Sequence, residues 1–274
     1  MNGTRFTKGH ALGNDYIVID RADLTDDLSP AQAVKLCDRH LGAGSDGVLL
    51  ADLANSPVSL RIINPDGTEA EKSGNGLRIL GAYLHHRGAV ATGEWFDVRL
   101  IGDVVEMRVE QSDRGVVIVR VRMGSARFDG EPGRLLDLGD GLAAHVDTLS
   151  VGNPHCVVFV PELERADFLM RAPRLCTHDA FARGTNVQFA RATGTQQIEA
   201  WIWERGAGET TASGSSACAV AAAAVRRQLV VPGSVTIHMP GGSLNVTVSE
   251  DYEIEMVGPA QLVYEAEIIN ELTT

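Results

Sequence analysis

Short apolar runs separated by turn residues dominate the chain and predict a protein built mostly of β-strands. In the first part, the predicted strands are Tyr16–Asp20, Val48–Ala51, Val58–Ile63, Trp95–Leu100, Val104–Val109 and Val116–Arg122. In the second part, they are His145–Val151, Cys156–Val160, Asn186–Ala190, Ile198–Trp203, Val235–Met239, Leu244–Ser249, Tyr252–Met256 and Gln261–Ile268. The pairs Asp129-Gly130 and Pro132-Gly133 and the triplet Pro240-Gly241-Gly242 are typical of turns between strands.

Few segments have the spacing of a helix. The predicted helices begin at Ser29, Ser73 and Ser213. Pro30 favours the first of these starts, and Gly42 is expected to end that segment. Leu77, Leu80 and Leu84 lie on one face of the second helix, whereas residues 217–225 of the third are apolar on every side and must be buried. We therefore predict an α+β fold in which curved, mostly antiparallel sheets wrap around a central helix.

The sequence repeats itself at an offset of 139–140 residues. The matching pairs are Gly13-Asn14 with Gly152-Asn153, Gly44-Ser45-Asp46 with Gly184-Thr185-Asn186, Glu69 with Glu209, and Ser73-Gly74 with Ser213-Gly214. Several matches in one order and one register indicate two homologous halves. The predicted halves are residues 1–119 with a C-terminal strand at about 261–274, and residues 120–260. We expect them to be pseudo-symmetric, with a cleft between them.

Composition narrows the classes of function. The 274 residues carry a formal net charge of −12, which disfavours nucleic acid or an anionic membrane as a partner. The longest apolar run is too short to span a bilayer, and the N-terminal segment lacks the apolar core of a signal peptide, so we expect a cytoplasmic protein. The four cysteines form no CxxC pair and are expected to be buried free thiols. The histidines lack metal-ligand spacing, so no metal site is predicted.

The starts of the second and third helices are candidates for chemistry. Each has Ser-Gly followed by a small polar residue, Asn75 or Ser215. Small residues allow a ligand to approach the backbone, and first-turn N–H groups attract anions. The simpler alternative is that Ser73 and Ser213 only cap their helices.

Four segments of the chain resemble the signature segments of the diaminopimelate epimerase family. They are KGHALGND, NPDGTEAEKSGNGLRI, VGNPHC and WERGAGETTASGSSACA. The resemblance covers nearly the whole chain and extends more loosely to proline racemase and the phenazine-biosynthesis isomerase. It implies two similar domains, a cleft that holds a small amino acid or other carboxylate, and proton transfer without a cofactor or metal. A base removes the α-proton from one face, and an acid returns a proton to the other. It leaves a homodimer open.

The resemblance also implies residue roles. The matching substrate-binding positions are Asn14, Asn64, Gly74, Asn75, Asn153, Asn186, Glu204, Arg205, Gly214 and Ser215. Glu204 and His155 match groups beside the two catalytic residues. Those residues are cysteines in the family, where this chain has Ser73 and Ser213.

The replacement of cysteine by serine raises the free energy needed to form the anion that would act as the base. A thiol ionises near pKa ~8.5 and an alcohol nearer water's ~15.7, a difference of about 9 kcal/mol. A helix N-terminus supplies only about 0.3–2 kcal/mol. We therefore expect each serine to need a relay, His155 beside Ser73 and Glu204 beside Ser213, with the hydroxyls about 6–8 Å apart in a closed cleft.

Four explanations of the serines remain open. The chain is a natural epimerase or racemase that uses serine with a relay, or an epimerase whose cysteines were replaced by engineering. Alternatively, it is a diverged isomerase or lyase on the same scaffold, or a carboxylate-binding protein that has lost catalysis.

Overall fold

The computed structural model describes residues 3–269, which form two units. The first unit contains the chain up to Arg122 and again from Gly258, and the second contains Met123–Val257. Residues 1, 2 and 270–274 of the predicted first half lie outside the described residues. Both units are strand-rich with a central helix, so the predicted α+β class is confirmed.

The first unit is a closed sheet around one helix. Its strands are β1 (Thr4–Ala11), β2 (Asn14–Asp20), β3 (Val48–Asp52), β4 (Val58–Ile63), β5 (Glu69–Ala70), β6 (Trp95–Leu100), β7 (Asp103–Asp113) and β8 (Val116–Ser125), and its helices are α1 (Pro30–Cys37) and α2 (Gly74–His86), with a short 3₁₀ helix at Arg21–Asp23. The end of the chain adds the last strand, Glu253–Ile268. Eight strands close a ring, because β1, β2, β3, β4, β6, β7 and β8 pair in succession and the last strand pairs with both β8 and β1.

Helix α2 occupies the inside of this ring. It is buried from Gly74 to Leu84 and packs against β1, β2, β3 and β7. Helix α1 covers the other face of the sheet, where Leu36 packs with Ile17 and Ile19. Since successive strand residues point to opposite faces, Tyr16 and Val18 face α2.

The second unit repeats this plan. Its strands are β9 (Arg127–Gly139), β10 (Leu142–Ser150), β11 (Pro154–Phe159), β12 (Asn186–Gly194), β13 (Gln197–Glu204), β14 (Gly208–Thr210), β15 (Gly233–Met239), β16 (Gly242–Val248) and the first part of β17 (Glu253–Ile268), and its helices are α3 (Arg165–Cys176) and α4 (Gly214–Arg226). Helix α4 is buried from Gly214 to Val225. Helix α3 covers the opposite face, where Phe168 packs with Val187 and Phe189.

Some predicted boundaries are wrong. The turns predicted at 129–130 and 132–133 lie inside β9, where Gly130 and Gly133 adopt φ of 80° and 69° and the partner strand β10 shifts register. Two positive-φ glycines thus allow one strand to bend without ending. The two strands predicted after residue 252 are a single strand, β17. Helix α1 ends at Cys37 rather than near Gly42, because the Asp38 side chain accepts the backbone N–H groups of His40 and Leu41 in the next turn. The elements that were not predicted are β1, β5, β9, β14 and α3.

Two further predictions concern cysteines and membranes. Cys37, Cys156, Cys176 and Cys218 are buried thiols outside any disulfide, as predicted. Burial raises the pKa of the Cys37, Cys156 and Cys176 thiols, which keeps them protonated. Among residues 3–269, no helix combines the length and the apolar character needed to cross a membrane.

Candidate active site

Ser73 stands at the start of the central helix of the first unit. It is the N-cap of α2, and its Oγ accepts the N–H of Gly76 at 3.0 Å. The same Oγ lies 3.2 Å from the phenolic oxygen of Tyr16. A Cβ on Gly76 would lie 2.9 Å from a methyl group of Leu49 and 3.3 Å from Ser73 Oγ. A larger residue at position 76 would therefore crowd the Ser73 hydroxyl.

A chain of side-chain amides runs beside Ser73. The guanidinium of Arg78 donates to Asn75 Oδ1 at 2.8 Å, Asn75 Nδ2 donates to Asn14 Oδ1 at 2.9 Å, and Asn14 Nδ2 donates to Asp46 Oδ2 at 2.8 Å. Each amide is fixed at both ends, because it accepts from one neighbour and donates to the next. The structure thereby brings together Asn14 and Asn75 at the start of α2.

Charged groups anchor the far end of this chain. Arg39 lies 2.7 Å from a carboxylate oxygen of both Asp15 and Asp46, and Lys8 pairs with Asp15. Burial raises the pKa of Asp15, but the hydrogen bonds from Arg39 and Lys8 outweigh it and hold that pKa at about 2. Burial raises the pKa of Asp46. Of these two carboxylates, Asp15 is therefore the one that keeps its negative charge to lower pH.

Asn64 is the remaining predicted residue of the first unit, and its hydrogen bonds are to Thr68 rather than to this network. It is in the turn between β4 and β5, where its Nδ2 donates to Thr68 Oγ1 at 3.0 Å and its backbone N–H donates to Thr68 O at 2.8 Å. The turn fixes the backbone of Asn64 and orients its amide.

Ser213 occupies the equivalent position in the second unit but differs in its contacts. It is the N-cap of α4 and only 3% exposed, yet its side chain makes no capping hydrogen bond. The N–H groups of Gly214 and Ser215 in the first turn have no acceptor within the helix. This end of α4 therefore retains more capacity for an anion than the end of α2, whose Gly76 N–H is already taken by Ser73.

A second polar chain leads to Ser215. Gln188 Nε2 donates to His155 Nδ1 at 3.1 Å and to Ser216 Oγ at 2.9 Å. His155 Nε2 lies 2.9 Å from Asn153 Oδ1, and Asn153 Nδ2 donates to Ser215 Oγ at 3.4 Å. Because Nδ1 accepts from Gln188, the ring proton is on Nε2 and donates to Asn153. The amide nitrogen of Asn153 is thereby directed at the start of α4.

His155 is held in its neutral form. It is 1% exposed, and burial lowers its pKa to about 3, although the Gln188 hydrogen bond acts in the opposite direction. Both ring nitrogens already have amide partners. These contacts favour a role in orienting Asn153 over the predicted relay of protons.

Asn186 and Arg205 form a third group. Asn186 Nδ2 donates to Pro154 O at 3.1 Å, and its Oδ1 accepts the backbone N–H of Arg205 at 3.0 Å. The Arg205 guanidinium donates to Arg183 O at 3.2 Å, beside a cavity of about 430 Å³ lined by residues 176–179, 181–184, 205 and 206. Glu204, the last residue of β13, directly precedes Arg205 and is half-buried. Asn186 thus positions the arginine through the backbone.

Sequence reasoning missed Tyr16, Asp46, Arg78, Gln188 and Ser216, which orient the predicted residues. Two signals were present in the register of the repeat: Tyr16 stands 139 residues before His155, and Asp46 stands 140 residues before Asn186. Gln188 and Arg78 gave no signal, because their partners are set by tertiary contacts. In the part of the chain that the structure describes, no three metal-ligating side chains cluster.

Comparison with solved structures identifies the class of fold. A phenazine biosynthesis protein from Bacillus anthracis superposes with a TM-score of 0.76 at 14% identity, covering 98% of this chain and 100% of that one. A probable proline racemase from Agrobacterium radiobacter, solved with bound carbonate, gives a TM-score of 0.75 at 15% identity, covering 97% and 92%. The fold is that of racemases, epimerases and related isomerases.

Sequence comparison defines the family. The sequence profile of diaminopimelate epimerase matches residues 6–128 and 148–263. The diaminopimelate epimerase of Pelotomaculum thermopropionicum is 41% identical over 276 residues, covering 96% of this chain and 98% of the relative, and a second from Nostoc is 36% identical over 281 residues, covering 98% and 96%. This chain belongs to the diaminopimelate epimerase family, and with it to the isomerases.

Proposed function

We propose that this protein epimerises diaminopimelate, converting the LL form to the meso form by moving the α-proton without a cofactor. The observation that carries the proposal is a pair of serines, half-buried Ser73 and buried Ser213, each at the start of a central helix in a chain of this family. Such a position places a hydroxyl next to first-turn N–H groups, which suits proton transfer beside a bound carboxylate.

The α-carboxylate of the substrate would bind at the two helix starts. The N–H groups of Gly74 and Asn75 in one unit, and of Gly214 and Ser215 in the other, are the donors. Asn14 and Asn153 are oriented by neighbouring side chains towards these same helix starts. Pre-oriented donors need no reorganisation when charge develops on the substrate.

The distal end of the substrate carries a second carboxylate and an amine. Arg205 is the proposed partner of that carboxylate and Glu204 that of the amine, and Asn64 in the turn after β4 and Asn186 at the start of β12 are proposed as further substrate-binding residues. The hydrogen bond from the Arg205 backbone to Asn186 and the cavity beside its side chain support this role.

In the proposed reaction, Ser73 and Ser213 act on opposite faces of the α-carbon. One serine oxygen takes the α-proton as its own proton passes to a relay partner, and the other hydroxyl gives its proton to the opposite face as its relay partner reprotonates it, which inverts the configuration. His155 and Gln188 are positioning residues that hold Asn153 in one orientation. The predicted relay from Glu204 to Ser213 remains a prediction.

Conversion of LL-diaminopimelate, measured by chiral chromatography in the presence of EDTA and without pyridoxal phosphate, tests the proposal. We expect meso-diaminopimelate to accumulate, and Ser73→Ala and Ser213→Ala each to lower kcat by about 10²-fold or more, the range of general acid–base groups. The surface variant Ser234→Ala is the matched control and should retain wild-type activity.

Two results would overturn the assignment. A folded protein that binds diaminopimelate without converting it is a carboxylate-binding protein, and one that converts another carboxylate instead is a diverged isomerase. The expected homodimer is a separate prediction, which light scattering on the purified chain decides.

A further inference from the structure

We propose that Tyr16 is the proton-relay partner of Ser73, the role that the sequence assigned to His155. This inference rests on the proposed function, because it concerns how one of the two serines moves a proton. Tyr16 acts through Ser73 and needs no contact with the substrate.

The geometry supports a direct relay. The phenolic oxygen of Tyr16 lies 3.2 Å from Ser73 Oγ, within hydrogen-bond reach, and Tyr16 is 7% exposed. Because Ser73 Oγ accepts the N–H of Gly76, its own proton is directed away from the helix end. Either oxygen of the Tyr16–Ser73 pair can donate to the other, as a two-way relay requires.

The backbone holds the Tyr16 ring in this position. A Cβ on Gly47 would lie 2.7 Å from Cε1 of the ring and 2.7 Å from the carbonyl oxygen of Ile63. No side chain fits there, so the ring packs directly on the backbone of Gly47. Tyr16 also pairs with Gly9 in β1, so strand register fixes its backbone.

The relay spares Ser73 from becoming an alkoxide. As Ser73 Oγ–H protonates the α-carbanion, Tyr16 O–H passes its proton to Ser73 Oγ, so the charge lost by carbon ends on the phenolate. In the reverse direction, Ser73 Oγ takes the α-proton as its own proton returns to the phenolate. A phenol has a pKa near 10 against about 15.7 for water, so the relayed charge is far more accessible.

The repeat gives an independent argument. Tyr16 and His155 occupy equivalent positions in the two units, each two residues after the asparagine of a Gly-Asn pair. In the second unit, both ring nitrogens of His155 are bonded to Gln188 and Asn153. In the first unit, the equivalent side chain bonds to the serine itself. The two units therefore differ at this position, and only in the first unit does the equivalent side chain, the Tyr16 phenol, hydrogen-bond to the serine at the helix start.

A double-mutant cycle between Tyr16→Phe and Ser73→Cys tests the relay. Phenylalanine keeps the ring on Gly47 and removes only the hydroxyl. We expect Tyr16→Phe to lower kcat for diaminopimelate by about 10²-fold with KM changed less than threefold. In the Ser73→Cys background, the thiol ionises unaided near pKa ~8.5, so Tyr16→Phe should cost less than threefold.

Tyr83→Phe is the matched control, because Tyr83 is also buried but lies near the far end of α2. It should leave kcat unchanged. Equal losses from Tyr16→Phe in both backgrounds would indicate a purely structural effect and overturn the relay, as would full activity of Tyr16→Phe itself. A wild-type chain without epimerase activity would instead refute the proposed function, and the relay with it.

Discussion

His155 illustrates how the state of a single residue follows from its surroundings. The ring is buried between two amides, and its pKa is lowered to about 3. In the unfolded chain, a histidine titrates near ~6.5. Between these two values the unfolded chain binds a proton that the folded chain does not, so stability must fall as the pH falls.

This difference gives a prediction in unfolding free energy. From pH 7 to pH 5, His155 should lower the stability of the fold by about 2 kcal/mol. Urea unfolding of wild type and His155→Gln at both pH values measures this change. On acidification, the unfolding free energy of the variant should fall by about 2 kcal/mol less than that of wild type. The exposed His40→Gln variant should follow wild type. An identical pH dependence in His155→Gln would show that the imidazole is not held neutral.

The pattern at the helix starts and the family resemblance together indicated part of the candidate site. Asn14, Asn75, Asn153 and Ser215 were predicted, and the structure joins them in two short networks. The orientation of their amides was not predictable, because it depends on partners such as Gln188 that are distant in sequence.

At the scale of elements, the two central helices begin alike but are capped differently. Ser73 Oγ accepts a first-turn N–H, whereas the Ser213 side chain does not. An N-cap side chain contributes about 1 kcal/mol. Ser73→Ala should therefore lower the unfolding free energy by about 1 kcal/mol, and Ser213→Ala by less than about 0.5 kcal/mol. Chemical denaturation of this matched pair measures the difference, and equal losses would contradict the assigned contacts.

A second prediction at this scale concerns the contact between β2 and the start of β3. A Cβ on Gly47 would collide with the Tyr16 ring and a backbone carbonyl, so Gly47→Ala should destabilise the protein by about 1–3 kcal/mol and lower activity. Gly194→Ala, whose Cβ would meet nothing closer than 3.9 Å, is the control and should be nearly neutral. A neutral Gly47→Ala variant would show that the ring is free to move.

Periodicity predicted most strands but not all of them. Val58–Ile63 and Trp95–Leu100 have the predicted bounds, because apolar residues and flanking turns mark both ends. Strand β9 was missed since its glycines and proline are typical of turns, yet pairing with β10 keeps it extended. Pairing partners far away in sequence decide such cases.

At the scale of the molecule, the repeat is the strongest signal in the sequence, because matches at one offset place two helix starts in equivalent positions.

The same equivalence predicts the effect of replacing both serines by cysteine. Since a thiol ionises near pKa ~8.5, the Ser73→Cys/Ser213→Cys double variant should turn over diaminopimelate roughly 10²-fold faster than the parent. Ser234→Cys is the surface control. A double variant that folds and binds diaminopimelate but is no faster would show that serine does not limit the reaction.

Exchange of the α-proton with solvent tests the central claim most directly. The protein is incubated with LL-diaminopimelate in deuterated water, and mass spectrometry and proton NMR follow the α-carbon. Our account predicts that the meso product carries one solvent deuterium at the inverted α-carbon, and that Ser73→Ala and Ser213→Ala suppress its formation. An α-carbon that acquires no deuterium while diaminopimelate is demonstrably bound would contradict proton transfer between these two helix starts.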